Sequence, residues 1–86
     1  MDRDLPEPDV EIDAIGLLCP LPVLRARKRL MQMAPGEVLA ISASDQMAVV
    51  DMPHFCAGAG HEFLGTDERD GHRMFYIRRG AGTAED

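Results

Sequence analysis

In the stretch EVLAISA, residues 37–43, every side chain after the glutamate but one is apolar. An extended segment of this kind has no face to give to water. It has to lie centrally in a sheet, with strands on both sides and apolar material above and below. The chain has 86 residues. A domain this short buries only ~60–65% of the surface its unfolded chain exposes, so the expected frame is one thin two-layer structure.

The other elements follow from period and punctuation. DVEIDAI alternates, with Val10, Ile12 and Ala14 on one side and Glu11 and Asp13 on the other, as in a half-buried strand. Gly16 breaks it. From Pro20 the pattern turns helical, with Val23, Leu24, Leu30 and Met31 on one face, Ala26 close by and the arginines opposite. Pro35-Gly36 ends this helix. Ser44-Asp45 is an N-cap for a second helical stretch, QMAVVDMPHFCAGAG. Within it Pro53 is expected to force a kink or restart, with Asp51 placed to cap the restart. HEFLGTD and HRMFYIRR read as strands joined at Asp70-Gly71, a strong hairpin signal. The order is β-α-β-α-β-β. It predicts an α/β two-layer sandwich, a mixed four-stranded sheet with both helices on one face. No internal repeat or linker divides the chain. Residues 1–8 are expected to form a flexible arm, 9–80 a single domain and 81–86 a flexible tail.

The net charge is −6. Nucleic-acid binding draws its affinity from Lys and Arg on phosphates, so direct binding to RNA or DNA is not expected. Arg25, Arg27, Lys28 and Arg29 nevertheless stand together in an otherwise acidic chain. They form either a docking face for an acidic partner or a solvated face whose cations suit the C-terminal half of a helix. No apolar run is long enough to span a bilayer, and the acidic, proline-containing start resembles neither a signal peptide nor a presequence. The expectation is a cytoplasmic protein without membrane contact.

Cys19 and Cys56 are the two cysteines, and without an export signal they read as free thiols. There is no C-x-x-C pair, since the position that would hold the second cysteine is Pro22. Cys19 falls between a strand end and a helix start in GLLCPLPVLRARKRL. Proline is tolerated in a first helical turn, so Pro20 and Pro22 both fit and restrict the loop. A thiol at a helix N-terminus sees the positive end of the macrodipole, which predicts a lowered pKa and a reactive thiolate. The competing role is a small apolar plug at the junction. Cys56, between Phe55 and Ala57 in a helix, reads as a buried hydrophobe.

His54, Cys56 and His61 match no metal-ligand spacing, so no metal is expected. CAGAGH lacks the context of a phosphate loop, and no catalytic triad can be assembled from local spacing. No cofactor is expected.

LLCPLPVLRARKRL carries the C-P-x-P pattern and resembles the TusA/SirA-like sulfur carriers. The resemblance runs from Val10 to Gly80 through IDAIGLLCPLPV, the APGE turn, ASDQMAVVDMPHFCAGAGHEF and YIRRG. It implies the same two-layer fold and a carrier that holds sulfur as a persulfide on Cys19, with Pro20 and Pro22 shaping the loop. The implied partners are a cysteine desulfurase or other sulfur donor and a downstream sulfur-acceptor protein. Arg27 and Asp45 match family positions near the cysteine end and are expected to contact a partner, with Arg25 and Lys28 beside them. Such a protein is a sulfurtransferase-type carrier that works with enzymes rather than turning over a substrate alone. Relay toward tRNA 2-thiouridine is the best-known use. Sulfur oxidation, molybdenum-cofactor and selenium pathways are other branches, and nothing in the sequence singles one out. The alternative is a regulatory or nucleic-acid binding module that uses the basic helix, with Cys19 structural.

Overall fold

The computed structural model describes residues 5–81. The order is β1 (Val10–Ala14), α1 (Leu21–Leu30), β2 (Val38–Ala43), α2 (Ala48–Ala59), β3 (Glu62–Arg69) and β4 (His72–Arg78). The four strands form one sheet in the order β1-β2-β4-β3. β1 runs parallel to β2, and the β3–β4 hairpin is antiparallel, with β4 against β2. All six residues of β2 are buried, as a strand with no polar face requires. The outer parts of the expected arm and tail, residues 1–4 and 82–86, lie outside the described residues.

Alternation along the strands sorts the core into two sides. Leu39, Ile41 and Ala43 of β2, with Phe75 and Ile77 of β4, pack with Ala26 and Leu30 of α1 and Met52 and Cys56 of α2. Both helices therefore cover the same face. On the other face Val38, Ala40, Met74 and Tyr76 are buried, with Leu5 and Leu64 packed against them.

Three local expectations change. On α1 the buried residues are Pro22, Ala26 and Leu30, with Val23 half-buried, while Leu24 and Met31 are 49% and 46% exposed. The buried stripe runs at a strict four-residue step, because one short helix on a narrow sheet covers only a narrow seam. The second helix starts at Ala48, with Met47 as its N-cap. Asp45 instead closes the preceding turn, its Oδ1 accepting the Met47 N–H at 3.0 Å. Pro53 does not restart this helix, which runs through it without a break. The carbonyl that its missing N–H leaves unpartnered belongs to Val49, a residue 44% exposed, so water can satisfy it.

Candidate functional site

β1 and β2 are parallel neighbours, so their C-terminal ends open on the same edge of the sheet. The loop from β1 into α1 and the loop from β2 into α2 therefore meet there. Backbone amides of the first loop are tied to side chains of the second. The Gly16 N–H donates to Ser44 Oγ at 2.9 Å, and the Cys19 N–H donates to Asp45 Oδ2 at 2.6 Å. Gly16 has φ +89°, a left-handed conformation that L side chains rarely adopt. Pro20 follows Cys19 through a cis peptide bond and is the N-cap of α1, and Pro22 lies buried in the first turn. Cys19 thus stands just outside the helix, exposed, on a loop held from two sides.

Its thiol is not free of partners. Sγ donates to Asp51 Oδ2 at 3.0 Å, from the first turns of α2. This contact reverses the expected electrostatics. The hydrogen bond to Asp51 is the largest influence, followed by loss of hydration and the charges of Asp51 and Asp45, and together they raise the Cys19 pKa. The helix end that would oppose them has fewer donors than usual. Its positive pole is made of unpaired N–H groups. Pro20 and Pro22 have none, and the Leu21 N–H is already bonded to the Leu18 carbonyl at 2.8 Å. The prolines that shape the loop thereby remove two of the donors that would have stabilised a thiolate.

Cys56 is buried among the core side chains, as expected, and burial pushes its thiol up to about 12. His54 is exposed on the same helix that buries Cys56, and buried His61 accepts the Gly80 N–H at Nδ1. Among the described residues no group of three or more His, Cys, Asp or Glu side chains could hold a metal ion.

The basic cluster is divided by helical geometry. Arg25 and Lys28, one turn apart, flank a shallow apolar groove with Leu17, Leu21 and Leu24. Arg27 is exposed on α1 but lies two residues from Arg25, on a different side of the helix. Arg29 is half-buried and bonds to Gln32. Asp45 reaches the cysteine loop, whereas none of Arg25, Arg27 and Lys28 forms an ion pair among the described residues.

Two features of the site escaped sequence reasoning. The first is Asp51 at the thiol. An acidic residue in a helix's first turn is already explained by the dipole, so nothing local marks it as a partner of Cys19. The second is a set of exposed apolar side chains on the two segments that carry Cys19 and its partners. Leu18 and Val50 are 69% and 62% exposed, and Leu21 and Met47 are also exposed. Leu18 and Leu21 flank the cysteine in the chain, and Met47 and Val50 lie between Asp45 and Asp51, the two residues that reach it.

Comparison with known proteins agrees with this arrangement. The family model described as Sulfurtransferase TusA matches residues 10–79, which takes in both loops and all six elements up to β4. The chain belongs to the TusA sulfur carrier family. It is similar to the sulfur carrier protein TusA of Pseudomonas entomophila, at 41% identity over 73 residues that cover 85% of this chain and 91% of the relative. It resembles TusA of Allochromatium vinosum at 42% identity over 71 residues, 83% of this chain and 93% of that one. A crystal structure of a SirA-like protein from Desulfitobacterium hafniense superposes with a TM-score of 0.65 at 27% identity, covering 83% of this chain and 97% of that chain. Among the described residues no helix is long and apolar enough to cross a membrane.

Proposed function

We infer that this TusA-family protein carries sulfur as a persulfide on Cys19. It takes the sulfur from a cysteine desulfurase or other sulfurtransferase and relays it to an acceptor protein. tRNA 2-thiouridine synthesis is one destination. The observation that carries the reading is the exposed Cys19 thiol on a loop pinned through its own amide to Asp45. A sulfur that must enter two different partner sites in turn has to stand clear of its own domain, and a loop already ordered does not lose conformational freedom at each encounter. The buried Cys56, with its thiol held protonated, is unsuited to the same chemistry.

Leu18, Leu21, Met47 and Val50, exposed on the two segments that carry the site, supply apolar contact for a partner, and Arg25, Arg27 and Lys28 supply charge for steering. Asp45 presents the loop. Each of its oxygens accepts one backbone amide and keeps a lone pair for a partner donor. The reading sets the protein in the cytoplasm, where two free thiols persist.

Incubation with a cysteine desulfurase, its pyridoxal phosphate cofactor and cysteine is expected to add one sulfur atom to the chain, seen by intact mass and removed by dithiothreitol. The added mass maps to Cys19 and is absent from a folded Cys19→Ser variant. Sulfur found at another residue, or a native Cys19 that no alkylating reagent modifies, overturns the carrier role in favour of a binding module.

A further inference from the structure

We propose that Asp51 is the proton acceptor for Cys19, taking the thiol proton as Sγ attacks the sulfane sulfur of a donor persulfide. This rests on the persulfide reading of Cys19. The reacting atom and the carboxylate are already in contact, Sγ to Oδ2 at 3.0 Å, within the reach required of a general base. The contact is built by tertiary structure, since α2 brings Asp51 from 32 residues away and Asp45 fixes the cysteine loop against the same segment.

The free protein needs such a group. The ionisable residues on the elements that meet near Sγ are Asp51, His54 and Cys56 on α2, Asp45 on the loop before it, Glu11 and Asp13 on β1, and Arg25, Arg27, Lys28 and Arg29 on α1. Of these, Asp51 and Asp45 act on the thiol, and both disfavour its anion. Asp13 is engaged with the Ile15 N–H and the Ser42 hydroxyl. Few thiolates are therefore present before the encounter, and the nucleophile has to be made within the step.

The step balances without an added oxidant. The bond from Sγ to the donor's outer sulfur forms, and the proton on Sγ passes to Asp51 Oδ2. The donor's S–S bond breaks, with its electron pair going to the donor's cysteine sulfur, which leaves as thiolate. Cys19 sulfur is oxidised from thiol to persulfide as the donor's cysteine sulfur is reduced to the same extent.

The test uses the whole chain and glutathione persulfide as donor, so that protein docking does not enter. Asp51→Asn keeps the size and a hydrogen-bonding group but cannot take the proton. Its loading by the persulfide is expected to be slower by about a hundredfold or more. The variant-to-wild-type ratio of loading rates, in which the donor's own ionisation cancels, should climb by about tenfold per pH unit as thiolate forms. Asp51→Glu is expected to restore part of the neutral-pH rate. A residue that only held the loop would leave the ratio flat with pH. An Asp51→Asn protein that loads as fast as wild type or faster, or a flat ratio, overturns the base assignment while the carrier role stands. A wild-type chain that takes no sulfur on Cys19 overturns the carrier role, and the base assignment with it.

Discussion

Alkaline pH should destabilise this protein through one buried thiol, and the size of the effect can be worked out. Cys56 is 1% exposed on the sheet-facing side of α2, in the cluster that holds Met52, Phe75 and Ile77. Burial moves its pKa from 9.0 to about 12. In the unfolded chain the thiol gives up its proton above 9, while the folded chain keeps it until about 12. Between these values the native state binds more protons than the unfolded state, so stability falls as pH rises. The contribution is fully present below 9, is reduced by about 1.4 kcal/mol at pH 10, and would approach a loss of about 4 kcal/mol near pH 12. Against a typical total of about 5–15 kcal/mol this is large enough to measure. Cys56→Ala removes the titration and leaves a small cavity, at a cost of roughly 1–2 kcal/mol that does not vary with pH. Urea unfolding of both proteins at pH 8 and pH 10 is the assay. Wild type should lead at pH 8 and lose most of that lead at pH 10. Every other ionisable group is common to both proteins and drops out of the difference. Parallel pH dependences would refute the reasoning, because they would mean the Cys56 thiol ionises as easily inside the fold as outside it. The variant should still accept sulfur on Cys19.

Two further outcomes follow from single positions. A Cβ on Gly80 would overlap the Gly60 carbonyl oxygen and lie 3.3 Å from His61 Cα, all backbone at the C-terminal cap of α2. No rotamer relieves such a clash, so Gly80→Ala should cost about 1–3 kcal/mol or more, and an unchanged denaturation midpoint would show that the approach is looser. Arg27 is exposed and forms no ion pair among the described residues, so Arg27→Glu should cost only about 1 kcal/mol of stability, from an acid set in the last turn of α1. It should slow loading by a cysteine desulfurase at low ionic strength, with the wild-type advantage shrinking as salt is added. Equal loading rates would remove Arg27 from the docking surface.

The sequence by itself determined whatever depends on a residue and its near neighbours. The alternation of Val10, Ile12 and Ala14 marks β1, and the two-sided apolar run of β2 puts it inside the sheet. Asp70-Gly71 closes the hairpin, and Gly16 and the two prolines place Cys19 between a strand and a helix. Each of these is a steric or burial rule acting over a few residues, and each is present in the structure. Tertiary structure decided the chemistry at the sulfur. Asp45 and Asp51 lie 26 and 32 residues from Cys19 in the chain, and each had a sufficient local explanation as a helix cap, one for α2 and the other for a restart at Pro53. Packing α2 beside the cysteine loop gives both a second role, and so turns an expected lowered pKa into a raised one. The reason is physical. A thiol's proton affinity depends on charge and hydrogen bonding within a few ångströms in any direction, whereas sequence patterns report only what stands a few residues away along the chain.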